Sequence, residues 1–153
     1  MMLLALLLGV VAGLRTFTPL AAVSWAARLG ILKLDGTWAS FLGYLWTPWI
    51  FSVLALAELV NDKLPRTPSR KTPPQFAARI VSGTFAGLTL GFGHEAVVIC
   101  AVLGAIGAVL GTLGGAAARS GLTKAIGGKD LPIALLEDCV AVGAAVLIVF
   151  SIR

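Results

Sequence analysis

Apolar and polar positions divide this chain into five long hydrophobic stretches with short polar breaks. Residues 2–29, 39–60, 75–92, 96–118 and 132–152 are each predominantly apolar. A hydrocarbon core about 30 Å thick is crossed by ~20 apolar residues in helical form. The pattern therefore predicts an all-α, polytopic membrane helix bundle of about five transmembrane helices, one integral membrane domain over residues 1–153. The first stretch is interrupted by Arg15-Thr16-Phe17-Thr18-Pro19, where a charge and a proline oppose a continuous helix. In the second, Tyr44, Trp46 and Trp49 are suited to an interface, and Pro48 kinks or starts the regular part. The third is short, with Gly83, Gly87 and Gly91 on one smooth stripe, and is the stretch most suited to a re-entrant course. Gly93-His94-Glu95 reads as a solvated turn, too poor in ligands for a metal. The fourth carries Gly104, Gly107, Gly111, Gly114 and Gly115, and Leu131-Pro132 opens the fifth.

Composition agrees with a lipid environment. Hydrophobic residues make up 58% of the chain and charged ones 12%, whereas soluble domains average about 45–50% and about 25%. A water-soluble domain of this length has no interior large enough for that much apolar surface. The 18 glycines, costly in soluble helices, suit close helix packing in lipid. Net charge is +5, but the cations sit in short loops between apolar stretches, which argues against nucleic acid as a partner and for membrane lipids. The run 3–12 has no Lys or Arg before it and reads as a span rather than a cleaved leader. Cys100 and Cys139 lie in apolar segments without a CxxC spacing and read as packing residues.

Lys and Arg also orient the chain. With the N-terminus inside, the inner loops hold Lys63, Arg66, Arg70, Lys71, Arg79, Arg119, Lys124 and Lys129, and the outer side only Arg28, Lys33 and Arg153. The expectation is a multi-pass protein of the bacterial cytoplasmic (inner) membrane, N-terminus inside and C-terminus outside. An internal echo accompanies this. Trp25-Ala26-Ala27-Arg28-Leu29-Gly30 resembles Ala116-Ala117-Ala118-Arg119-Ser120-Gly121, and each is followed by a helix with an acid, Glu58 or Glu137. Helices 1–2 and 4–5 would then form an inverted repeat, as in some transporters.

Candidate chemistry concentrates on few residues. Arg15 lies half-way along an apolar stretch, where a charge costs at least ~2.5–3.5 kcal/mol, so it needs a partner. Thr16 and Thr18 beside it supply hydroxyls, and the break suits an anion or carboxylate site; an ion pair with Glu58 or Glu137 is the plainer reading. Glu58, Asn61 and Asp62 share a helix face and could bind a cation, relay a proton or pair with Lys63 and Arg66. Glu137 and Asp138 open the fifth helix and reach the same layer, close to Arg66, Arg70 and Arg79, which suit an anionic head group. The substrate-binding candidates are thus Arg15, Thr16, Thr18, Glu58, Asn61, Asp62, Glu137 and Asp138. No catalytic motif, P-loop or nucleotide fingerprint is present, and nothing specifies a cofactor or a metal.

The motifs Gly13-Leu14-Arg15-Thr16-Phe17-Thr18-Pro19 and Glu58 to Arg70, with the Gly-rich fourth helix and the Leu136-Glu137-Asp138 step, resemble an uncharacterised family of small bacterial integral membrane proteins, a domain of unknown function. The resemblance covers nearly the whole chain. It implies a multi-spanning membrane protein and names no substrate. Three function classes follow. A small solute or ion transporter or channel uses a polar site among Arg15, Glu58 and Glu137. A structural or assembly protein needs no substrate. A membrane enzyme acting on lipid phosphates lacks the metal-binding or nucleophilic pattern such chemistry requires. The Gly stripes also suit a homo-oligomer.

Overall fold

Arg15 is where the first apolar stretch stops being a helix. Continuing through it would set the Pro19 ring against the Arg15 carbonyl, with no N–H to bond it. In the computed structural model, which describes residues 1–63, 72–92, 96–128 and 130–152, the chain resolves this by ending one helix and starting another. Helix α1 is Met2–Leu14, and Arg15 beyond it is extended, with φ −142° and ψ 119°. Helix α2 is Thr18–Arg28, with Pro19 in its first turn, where no N–H is missed. A short 3-10 turn, Trp38–Gly43, leads to α3, Thr47–Asn61; then come α4, Pro73–Gly91, α5, Val97–Ala125, and α6, Asp130–Phe150. No strand occurs among the described residues.

Side-chain and backbone contacts give the direction of each helix. Gly9 lies against Gly104 and Gly13 against Ala108 and Thr112, so α1 and α5 run the same way. Gly83 meets Gly104, Gly87 meets Cys100 and Gly91 meets Val97, so α4 runs against α5. Arg119 reaches back to Asp130 and Glu137, which sets α6 against α5 as well. After α2 the chain brings Trp38 against Phe85 and Phe92, at the end of the bundle where α1 began. Helix α2 has therefore turned back. Helices α1 and α2 form a hairpin, and α3 runs against α2, with Phe17 beside Glu58 and Trp25 against Trp49.

This corrects the first predicted span. Residues 2–29 are not one continuous helix: they run out and back as a hairpin, with the tip at Arg15, Thr16 and Phe17. Asp138, which holds Arg15, lies eight residues after Asp130, so the tip stops about 12 Å short of that end of α6. Helix α4, the stretch most suited to a re-entrant course, is unbroken over its 19 residues, and the reversal lies in the first stretch instead. Reversal also places both chain ends at one end of the bundle, because α1 starts where α6 finishes. The expected separation of the termini came from counting the hairpin as one crossing. Helix α5 extends to Ala125, beyond the predicted 118, and α3 begins only at Thr47, since Trp38–Gly43 wind as a separate 3-10 turn. The α2–α3 and α5–α6 pairs do run in opposite directions, but their lengths differ: 11 and 15 residues against 29 and 21.

Two kinds of packing coexist. Helices α1, α4 and α5 interlock through glycines. A Cβ on Gly104 would lie 2.1 Å from the Gly83 carbonyl oxygen, and one on Gly107 would lie 2.1 Å from that of Leu6. Helix α3, by contrast, packs on α2 and the 3-10 turn, and Pro48 is its one buried residue. The outer faces are apolar: Val98, Ile99, Val102 and Leu110 on α5 and Leu135, Val140 and Leu147 on α6 are all exposed. By length and composition α5 and α6 can cross a membrane, and only 33% and 39% of their most apolar stretches are buried. A core helix of a soluble protein would bury far more of itself, so the apolar faces point to membrane association.

Candidate functional site

The hairpin tip exposes the groups that any helix end leaves unpaired: carbonyls at the end of α1 and amides at the start of α2. In a buried tip these need protein partners, and four neighbouring side chains supply them. The carboxylate of Glu58, from α3, accepts the Thr16 amide at 2.7 Å with Oε1 and the Phe17 amide at 2.9 Å with Oε2. Arg79, from α4, donates through Nη1 to the carbonyls of Gly13 at 2.9 Å and Leu14 at 2.6 Å. Ser82 donates to the Thr16 carbonyl at 2.5 Å, and the Thr112 hydroxyl lies 3.2 Å from that of Gly13. Negative charge thus sits at a helix start and positive charge at a helix end, each favoured by the dipole it faces. The two charges also approach each other, with Arg79 Nη2 3.7 Å from Glu58 Oε1.

Arg15 occupies the centre of this layer and is wholly buried. Its guanidinium bridges two helices. Nε donates to Asp138 Oδ1 of α6 at 2.8 Å, Nη2 donates to the same oxygen, and Nη1 donates to Asp62 Oδ2 just beyond α3. Lys63 closes the chain, donating to Asp138 Oδ2 at 2.6 Å and to the Leu59 carbonyl at 3.0 Å. Burying such ions costs several kcal/mol each unless they are paired and fully hydrogen-bonded. A second group lies closer to the bundle end. Arg119 grips Asp130 with two bonds, 2.8 Å and 2.5 Å, and reaches Glu137 at 3.4 Å.

An open groove of about 970 Å³ runs between α3 and α4 down to the tip. Thr16, Phe17, Glu58, Asn61, Asp62 and Gln75 form its polar part, and Val53, Leu54, Leu56 and Val60 its apolar wall. Its volume lies at the upper end of the ~300–1,000 Å³ usual for small-molecule sites. The tip amides and the carboxylate they hold are therefore next to open space.

The structure brings Arg15, Thr16, Glu58, Asp62, Asp138 and Arg79 to one layer, with Arg15 paired to Asp62 and Asp138 rather than to Glu58 or Glu137. Glu137 is turned towards Arg119, away from Arg15. Asn61 lines the groove from an exposed position, and Thr18 is buried against α6 on the other flank of α3. Arg66, Arg70 and the His94-Glu95 turn lie outside the described residues. The sequence reading missed Ser82, Thr112 and the Arg119–Asp130 pair. Ser82 had a signal, since it follows Arg79 by three residues and so shares its helix face; Thr112 had none beyond being a hydroxyl among glycines. Cys100 is buried and Cys139 exposed, and both are free. Among the described residues no three His, Cys, Asp or Glu side chains are grouped to hold a metal ion.

Residues 2–151 match the model of a family described as a domain of unknown function, DUF4126, and the chain belongs to that family. No curated protein and no solved structure matches it.

Proposed function

We propose that this protein is a small transporter of the bacterial cytoplasmic membrane that carries a carboxylate-bearing solute past the α1–α2 hairpin tip. The observation behind this reading is the way Glu58 is held. Two backbone amides at a helix start, with a buried arginine beside them, make a site for an anionic group. Glu58 fills it from α3, the least embedded helix, and the groove reaches the same atoms. Glu58 then acts as a tethered stand-in for the solute: when α3 moves outward, the amides of Thr16 and Phe17 become free to bind a carboxylate entering by the groove. Broken helices in membrane proteins are kept where they line such a path, because an unbroken helix leaves no backbone group to satisfy. The bundle end bearing Lys63, Arg119 and Lys124 would face the cytoplasm, with both chain ends on the far side. At Gly114 and Gly121 an added methyl would meet nothing within 4 Å, which leaves α5 a smooth face for a second copy of the chain.

Flux of radiolabelled mono- and dicarboxylates into proteoliposomes tests this. The parent protein is expected to carry at least one of them, and Glu58→Gln to reduce flux at least tenfold while binding the solute no more weakly. Unchanged flux in Glu58→Gln removes Glu58 from the cycle. A second reading is favoured by the pairing of Arg15, Lys63, Arg79 and Arg119 with the protein's own carboxylates: the layer only holds the helices together. It expects no flux from the parent and a lower melting temperature in the variant.

A further inference from the structure

A second cavity, of about 300 Å³, lies on the opposite flank of α3 from the groove, between α2, α3 and α6. Its lining is almost entirely apolar, with Ala22, Leu59, Ala145 and Val146 among the walls and no ionisable side chain. One member does not fit an apolar void. Thr18 is buried, and its hydroxyl has no hydrogen-bond partner. The other polar groups there are accounted for: Trp25 Nε1 donates to Ser52 Oγ at 3.0 Å, and Ser52 donates to the Pro48 carbonyl at 2.7 Å. An unpaired hydroxyl in such surroundings is a standing cost that an acceptor would remove.

We infer that this cavity takes one acyl chain of a membrane lipid, with the ester carbonyl accepting a hydrogen bond from Thr18 Oγ1 after rotation about its Cα–Cβ bond. Three features select that occupant. The missing partner is an acceptor or a donor but need not be charged, and the lining offers no counter-ion for a charged one. The mouth is edged by Val142 and Val146, exposed apolar residues continuous with the outer face of α6, so the occupant arrives from an apolar phase. The cavity is at the small end of ligand sites, enough for one chain segment and not for a whole lipid. The inference rests on the membrane reading above but not on transport. Its consequence is mechanical: a chain lodged there fills the space beneath Ser52, Ala55 and Leu59 and props α3 on the side that faces α2.

Trp25 lines the cavity and serves as the reporter. In a variant with Trp38, Trp46 and Trp49 changed to Phe, Trp25 fluorescence is measured in phosphatidylcholine vesicles whose acyl chains carry bromine near their middle, a short-range quencher that a chain anchored at Thr18 would bring to Trp25, about 10 Å further along α2. A Val98→Trp variant without the native tryptophans reports the outer face, since Val98 is 75% exposed on α5. Strong quenching of Trp25 is expected, cut at least twofold by Val146→Phe at the mouth or Ala145→Leu within, and cut by Thr18→Val but not by Thr18→Ser. Quenching that survives both filling substitutions, or is indifferent to Thr18→Val, overturns the assignment. Quenching of the tryptophan at position 98 without that of Trp25 also overturns it while leaving the membrane reading intact; failure of both removes the membrane reading itself.

Discussion

Helices α1, α4 and α5 touch backbone to backbone, whereas α2, α3 and α6 are joined mostly by side chains around cavities. On the first side, glycines bring carbonyls of facing helices to distances where a methyl group cannot enter. On the second, α3 is tied to its neighbours by a tryptophan pair at one end and by Glu58, Asp62 and Lys63 at the other. Dispersion between surfaces in contact is short-ranged and intolerant of change; ionic links between side chains can be exchanged for others. Stability and adaptability are thus assigned to different halves. The hairpin joins them, since α1 belongs to the rigid half and α2 to the loose one.

Substitutions put that contrast to the test. The largest effect is expected where the halves meet. Arg15→Ala removes the buried cation that Asp62 and Asp138 share, leaving Asp138 with Lys63 alone of its two cations, a loss of about 3–5 kcal/mol. Thermal unfolding in detergent should show a collapse in melting temperature, and a shift of a degree or two would mean that water reaches the layer. Next comes the rigid half: Gly104→Ala forces a methyl towards the Gly83 carbonyl and should cost about 1–3 kcal/mol. If it is tolerated, the three helices are less intimately packed than described. The smallest effect has the opposite sign. Gly143, on α6, has open space around it, so Gly143→Ala should stabilise by about 0.5–1 kcal/mol through helix propensity alone. A loss there would point to a partner covering that face.

How much of this was legible in the sequence depends on the kind of signal. Apolar runs and glycine spacing lie close to α4, α6 and the start of α5 but stop short of the end of α5 at Ala125, because they report local preference. Pro19 beside Arg15 marked the break. The reversal at the break was invisible, since hydropathy carries no direction and a mostly apolar stretch of 28 residues looks the same whether it runs straight or doubles back. Pairing across helices was legible only to within a residue or a turn. Glu137 and Asp138 are adjacent, yet neighbouring helical positions point about 100° apart, so one meets Arg119 and the other Arg15. Glu58 and Asp62 share a face, and only their relation to the tip decides that the first holds amides and the second a guanidinium.

The link between Arg15 and Asp138 spans 123 positions of chain. During synthesis the hairpin leaves the ribosome long before its counter-charge on the last helix has been made. Until then Asp62, nearer in the chain, is the one of its two carboxylate partners already made. The tip therefore gains its full set of ionic partners only once the last helix has been made, and a chain stopped short of α6 would leave the guanidinium half-partnered.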